Sequence, residues 1–309
     1  ARVGNDVSWI RRSSSSLVQL KAGHLEKETS ESQPQRKKES LFGSPNNTLR
    51  WIGWRIYDTG PKTIRTPLIC LPPVCGTAEI FFKQMLGLSA KGIRVISAEH
   101  PIYWSVSDWC AGFVKLIDYL ELDKVHLFGA SLGGFLAQKF AEHTSHCPRV
   151  ASLILCNTFC DTSVFSYNET SSLFWMLPSL VLKKMIMVNF TNAHHDKRII
   201  DSVDFMVERL DSLCQQDLAS RLTINCTNSF VDPLKVNYVK AVTIIDVFDE
   251  YALSSPVRED VYKCYPDAKL ANLKSGGNFP YLSRSDEVNL HLQIHLRGFD
   301  GTDVSAQAQ

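Results

Sequence analysis

The sequence predicts an α/β fold: a mostly parallel central sheet with helices on both faces and a helical lid inserted between two of its strands. Three observations carry this. Short apolar runs alternate with helical patterns from Trp51 to Cys156. The alternation stops after Asn157 and resumes only at Val242, which leaves room for an inserted helical segment. One apolar strand runs without a gap into Gly129-Ala130-Ser131-Leu132-Gly133 and then into a helical stripe, so strand, sharp turn and helix follow one another.

The elements follow in order. Ser16 to Lys21 can supply one edge strand within an otherwise polar stretch of about 48 residues. That stretch holds the serine run Ser13–Ser16 and the triplet Arg36-Lys37-Lys38. It has too little apolar surface to offset its ordering entropy and reads as a largely disordered extension, with the triplet a solvated charge run. Trp51–Tyr57 reads as a strand, Pro67–Leu71 as a short apolar strand closed by Pro72-Pro73, Ala78–Leu88 as a helix and Gly92–Ala98 as a buried strand. Ser107–Leu120 reads as a helix because Phe113, Leu116, Ile117 and Leu120 share one stripe. Lys124–Gly129 is a strand, Leu132–His143 a helix and Val150–Cys156 a strand. The insertion carries Phe159, Phe165, Phe174, Trp175 and the amphipathic run Ile199–Leu213. The alternation then returns with Val242–Val247 (strand), Pro256–Tyr265 (helix), Lys269–Leu273 (strand) and Glu287–His295 (helix). The expected division is an extension at 1–48, a core at 49–158 and 240–299, a lid at 159–239 and a tail at 300–309.

Composition narrows the class. A chain of 309 residues can bury about three quarters of its unfolded surface. Apolar residues make up 44% and charged residues 21%, which is ordinary for a soluble globular protein. A formal net charge of +1 argues against a nucleic-acid partner. The nine cysteines are odd in number and scattered, which reads as reduced thiols and not as a disulfide framework. Leu173–Phe190 is the nearest approach to a membrane span, but Pro178 and Lys183-Lys184 break it, so it reads as a helix pair over a cleft. The Asn-x-Thr triplets at Asn46, Asn168, Asn189 and Asn225 read as chance matches. No motif asks for a metal or another cofactor. His143, His146 and Cys147 lie close in sequence but lack a fourth ligand.

The chemistry centres on Ser131. The Gly-x-Ser-x-Gly pattern sets a serine on a tight strand-to-helix turn, where small neighbours avoid clashes, as a nucleophile requires. The acid of such a triad follows in chain order, and Asp249 stands just past the strand Val242–Val247. A histidine should come last, in a glycine-rich loop. The loop is present as Lys274-Ser275-Gly276-Gly277-Asn278-Phe279-Pro280, with Asn278 where the histidine belongs. An amide accepts a hydrogen bond but does not take a proton near neutral pH. The oxyanion donors are altered as well, because Pro72 and Pro73 have no N–H; Val74, Cys75 and Leu132 remain as candidates. His100, after a central strand, and His194 and His195, in the lid, are the alternative bases, whereas His291 and His295 read as helix residues of the core or surface. Two readings follow: a catalytically silent binding or adaptor protein whose lid aromatics Phe165, Phe174 and Trp175 meet a partner, or an active esterase-like or lipase-like serine hydrolase with an unrecognised base.

Three segments carry a resemblance: Leu71-Pro72-Pro73, the block Asp123 to Phe140, and Gly276-Gly277-Asn278-Phe279-Pro280-Tyr281-Leu282. Over Trp51 to Phe299 the chain resembles the maspardin family of the α/β-hydrolase superfamily. The resemblance implies an α/β-hydrolase fold without enzymatic activity, with Ser131, Asp249 and Asn278 as vestigial triad positions. It implies binding to the cytoplasmic tail of the T-cell co-receptor CD4, and a cytosolic protein associated peripherally with endosomal and trans-Golgi membranes. Ala22–Asn47 stands as an insertion relative to that family, and the tail after Gly301 is short.

Overall fold

The computed structural model describes residues 17–19, 53–165, 168–190, 196–249 and 253–307. Among the described residues eight strands form one sheet: β1 (Leu17–Gln19), β2 (Arg55–Thr59), β3 (Leu68–Leu71), β4 (Val95–Glu99), β5 (Val125–Ala130), β6 (Val150–Cys156), β7 (Val242–Val247) and β8 (Lys269–Leu273). Their order is β1-β2-β4-β3-β5-β6-β7-β8. β2 runs antiparallel to both β1 and β4, and the other neighbours run parallel. The edge strand expected near Ser16 is therefore β1; the rest of the N-terminal extension, including the expected insertion Ala22–Asn47, lies outside the described residues. Trp51 and Ile52 lie outside them too, and the strand expected from Trp51 is formed by Arg55–Thr59.

Apolar side chains on alternate strand positions build two cores, one on each face. Leu68, Cys70, Phe128, Ile154 and Ile245 face one side with α1 (Phe82–Ser89) and the long C-terminal helix. Ile69, Leu71, Leu127, Leu155 and Ile244 face the other side with α2 (Val106–Tyr119) and α3 (Leu132–His143). The period of two along each strand makes both faces apolar, as a sheet covered by helices on both sides requires. On the second face Trp109 stacks on Phe113 at 4.9 Å, and Phe113 meets Phe140 edge-on at 4.7 Å. Full burial of such rings contributes about 2–3 kcal/mol each. Ser105 caps α2 by accepting from the Asp108 N–H at 3.0 Å.

Between β6 and β7 lie 3₁₀ turns at Thr162–Val164 and Asn168–Met176, then α4 (Ser179–Met187), α5 (Lys197–Ser212), α6 (Gln215–Cys226) and α7 (Pro233–Val236). Pro178 separates the 3₁₀ turn from α4, because the residue before a proline is driven out of the helical region. The run read as one amphipathic helix is α5: it buries Ile199, Phe205, Met206 and Leu210 and leaves its charges outside. After β7 come α8 (Ser255–Cys264), β8, the short α9 (Pro280–Ser283) and α10 (Ser285–Arg297).

The segment read as a tail crosses back over the core. The Arg94 N–H donates to the Ala306 carbonyl at 3.0 Å, and Gln307 forms a bridge with Ile93. No helix among the described residues is long and apolar enough to cross a membrane.

Candidate functional site

β5 delivers Ser131 to the N-terminus of α3. Its backbone sits at φ 49°, ψ −117°, a left-handed conformation that costs a non-glycine residue about 1–3 kcal/mol. The turn is pinned from two sides: the Ser131 N–H donates to the Cys156 carbonyl at 3.0 Å, and Thr158 Oγ1 donates to the Ser131 carbonyl at 2.6 Å. The glycines are required by contact. A Cβ on Gly133 would overlap the Leu71 carbonyl, and one on Gly129 would overlap the Gly133 carbonyl.

β7 delivers Asp249 to the glycine loop that follows β8. Its carboxylate accepts from the Gly276 N–H at 2.8 Å and from the Gly277 N–H at 3.1 Å. Gly277 has φ 62°, which suits glycine. Ser283 Oγ donates to the Gly276 carbonyl at 2.7 Å. The loop thus carries Asn278, half-buried, to the rim of the same cleft as Ser131. Asp249 holds the loop by its backbone and does not itself line the cleft.

The cleft has a volume of about 330 Å³. Ser131, Asn157, Asn225 and Asn278 give it polar walls, and Phe165, Met185, Ile186, Phe190, Leu222 and Phe279 are among its apolar ones. Its residues come from the ends of β3, β5 and β6, from the start of α8 (Leu253, Ser254 and Val257), from the loop after β8 and from the lid. Among the oxyanion candidates, Val74 and Cys75 border the cleft, and Leu132 is the first residue of α3. Burial pushes the Cys75 thiol up to about 12, so it is held as a neutral thiol.

The alternative bases fare differently. His100 is packed among Trp54, Tyr103 and Trp109, its Nδ1–H donates to the Pro101 carbonyl at 2.7 Å, and it does not line the cleft. Burial, then the Arg221 cation, push its pKa down to about 3. It is a core histidine and not a base for Ser131. His194 and His195 lie outside the described residues. His295 is buried, as a core reading of it expects, and its chemistry is unexpected. Thr243 Oγ1 donates to His295 Nδ1, His295 Nε2–H to Ser152 Oγ, and Ser152 Oγ to His126 Nδ1, each at 2.7 Å. His126 Nε2–H ends the chain on the Val304 carbonyl at 2.8 Å. This direction of donation is the one in which both imidazoles are neutral and every polar atom of the chain is matched. Burial pushes His126 down to about 4 and His295 to about 3. These serine–histidine contacts lie at the start of β5 and β6. Ser131 follows the far end of β5, about 16 Å away at strand rise. They are structural.

The lid aromatics separate into three situations. Phe174 is 2% exposed and part of the core, so it is unavailable to a partner. Phe165 is half-buried, lines the cleft and meets Phe159 edge-on at 4.9 Å. Trp175 is 60% exposed.

Two site residues had no clear signal in the sequence. Asn157, at the end of β6, has φ 42° and is 6% exposed. Its Nδ2 donates to the Gly277 carbonyl at 3.0 Å, so the Asn278 loop is held by Asn157 through a carbonyl and by Asp249 through N–H groups. Its Oδ1 has no hydrogen bond among the described residues. An asparagine directly after an apolar strand was the available hint. Arg221 lies on α6 and is 2% exposed. Its guanidinium donates to Glu99 Oε1 at 2.9 Å, to the Gly76 carbonyl at 2.5 Å and to the Val74 carbonyl at 3.3 Å. A carbonyl and the next N–H point in opposite directions across one peptide plane. Arg221 therefore fixes the Cys75 N–H on the side of the loop away from the guanidinium.

This strand order, with a serine on a left-handed turn, an acid after β7 and a glycine loop after β8, matches known proteins. The family profile described as the alpha/beta hydrolase fold matches residues 66–202. Maspardin of Danio rerio is 59% identical over 253 residues, covering 82% of this chain and 81% of its own length. Human maspardin is 57% identical over 253 residues, with 82% of each chain covered. The chain belongs to the maspardin family. Maspardin likeness spans most of the chain, whereas solved structures share only the fold at low identity. A carboxylesterase of the thaumarchaeon Nitrososphaera gargenis superposes with a TM-score of 0.64 at 17% identity, over 83% of this chain and 99% of its own. An enol-lactonase of Burkholderia xenovorans superposes with a TM-score of 0.65 at 15% identity, over 79% and 96%.

Proposed function

We propose that this maspardin-family chain is a non-enzymatic binding or adaptor protein on a hydrolase scaffold. The observation that carries the reading is Asn278, which the glycine loop brings to the rim of the Ser131 cleft in place of a base. A serine hydroxyl without a base is a weak nucleophile, and loss of a triad member typically costs about 10⁴ to 10⁶ in turnover. By resemblance to the family, the partner in this reading is the cytoplasmic tail of CD4, and the protein acts in the cytosol, in T-cell signalling or in endosomal and trans-Golgi sorting, with peripheral membrane association. The lid offers a surface for such contacts: Leu173, Trp175, Met176, Leu180 and Val188 are exposed. Trp175 is the favoured anchor, since aromatic side chains commonly dominate interfaces.

Two measurements test this. A fluorophosphonate probe is expected to leave the protein unlabelled. Labelling that Ser131→Ala abolishes and Asn278→Ala leaves intact would establish an active serine hydrolase with a base elsewhere. Capture by an immobilised CD4 tail is expected to weaken at least tenfold in Trp175→Ala and to hold in Ser131→Ala. The reverse pattern moves recognition from the lid into the cleft.

A further inference from the structure

The outer face of α10 carries a pattern that solvation alone does not call for. The inner side of this helix buries Val288, Leu292 and Leu296 in the core and joins β7 through the bond between His295 and Thr243, near one end of the sheet. On the outer side Leu290 is 52% exposed and Ile294 is 49% exposed. Single exposed aliphatic side chains are common on any surface. These two lie one turn apart and face the same way, with exposed Glu287 one turn before them and exposed Arg297 one turn after. Glu287 and Arg297 have no side-chain partner within the chain among the described residues. The helix macrodipole favours an acid in the first turn and a base in the last. That accounts for the two charges and leaves the aliphatic pair between them unexplained.

Glu287, Leu290, Ile294 and Arg297 follow one another at intervals of three, four and three residues. This is the a-and-d spacing with which two helices pack along a seam at a shallow angle. Their order is acid, aliphatic, aliphatic, base, and it is symmetric about Leu292. Turned end for end, the stripe is its own complement: acid meets base, aliphatic meets aliphatic, and each match occurs twice. A parallel copy would set acid on acid and base on base. Such self-matching is what a two-fold contact between identical chains requires. We infer that two copies of this chain associate through antiparallel α10 helices, with Leu290 packed on Ile294 of the partner subunit and Glu287 paired with Arg297 of the partner subunit. One helix face with its flanking side chains falls at the small end of specific interfaces, below about 1,200 Å². The dimer is therefore weak, with a Kd on the order of 10 µM. The inference goes beyond the adaptor reading and does not rest on it, since no residue of the stripe lines the cleft or belongs to the lid.

The test is sedimentation velocity on the full chain across two decades of concentration that bracket this Kd. The weight-average mass is expected to climb from 34.8 kDa towards twice that value. Leu290→Asp and Ile294→Asp are each expected to hold the mass at one chain. Glu287→Arg and Arg297→Glu are each expected to weaken association at least about fivefold, because each sets like charges together at both ends of the interface. Mixed in equal amounts, these two variants are expected to regain the wild-type affinity, because one chain then carries only bases at the stripe's ends and the other only acids. Thermal melting verifies that each variant folds, and damage to a fold is not repaired by mixing. A mass fixed at one chain throughout overturns the inference and hands the stripe to another partner. Dimerisation unchanged in both aspartate variants, or no recovery on mixing the two folded charge variants, overturns it as well. Fluorophosphonate labelling and CD4-tail capture report on the cleft and the lid, so this inference and the proposed function fail through different results.

Discussion

The buried ion pair between Arg221 and Glu99 is predicted to tie the lid to the core. Arg221→Met removes a guanidinium from a side chain that is 2% exposed, along with its bonds to Glu99 at 2.9 Å, Gly76 at 2.5 Å and Val74 at 3.3 Å. Removing one partner of a buried pair costs about 3–5 kcal/mol, because the remaining charge is left uncompensated. Glu99 is not left bare: it keeps the Ala78 N–H at 3.2 Å and Arg55 at 3.1 Å, whose side chain is 46% exposed. That moves the expected cost towards the lower end. The loss of a charged donor by two carbonyls is part of that figure, and methionine refills most of the volume. The net is about 3–4 kcal/mol, or a fall in melting temperature of about 5–6 °C at this chain length. The assay is urea unfolding followed by tryptophan fluorescence, with the slope constrained by the wild type. Arg65→Met is the control, since the Arg65–Asp123 pair is more than half exposed on both sides, and it is expected to change stability by less than about 0.5 kcal/mol. Arg221→Met with Glu99→Leu should cost less than the sum of the two single changes. A single-variant loss below about 1 kcal/mol, or strict additivity in the double variant, would refute the reasoning.

Two further predictions concern the triad positions and the buried histidines. Asn278→His restores a base of pKa near 6.5 beside Ser131 and is expected to produce fluorophosphonate labelling that Ser131→Ala removes; an intact fold without labelling would show that the donors at Val74, Cys75 and Leu132 or the placement of Asp249 are also unsuited to catalysis. His126 and His295 are held neutral, with pKa values of about 4 and about 3 against an unfolded value of about 6.5. The unfolded chain therefore binds more protons below pH 6.5, so the stability from these groups is fully present above that pH and is lost as pH falls from 6.5 towards 4. By linkage each contributes a loss of about 2 kcal/mol between pH 7 and pH 5. Urea midpoints across that interval check it, and a flat profile would contradict the buried relay.

The sequence by itself determined the fold class and most strand positions, and it singled out Ser131, Asp249 and Asn278 as candidate triad positions. These are local properties. A period of two or 3.6 in apolar residues marks an element wherever it later packs. A glycine pattern around Ser131 marks the turn because a Cβ there would meet backbone within a few residues, as with Gly129 and the Gly133 carbonyl. Asn278 was legible because its loop is glycine-rich and comes last in chain order. The sequence did not reveal Arg221, which lies 122 residues from Glu99 and reads as an ordinary helix charge. It did not separate Phe174 from Trp175, adjacent aromatics of which one is 2% and the other 60% exposed, because their 3₁₀ turn lacks the long periodicity that assigns a face. Nor did it show that Ser152 joins His126 to His295, that His100 packs among Trp54, Tyr103 and Trp109 and does not line the cleft, or that residues after Gly301 return to the core. Each of these depends on which side chains from distant segments share a space with little water, where unmatched polar groups are costly and paired ones are kept. That pairing is set by the closed packing of lid, sheet and C-terminal segment, and no window of sequence contains it.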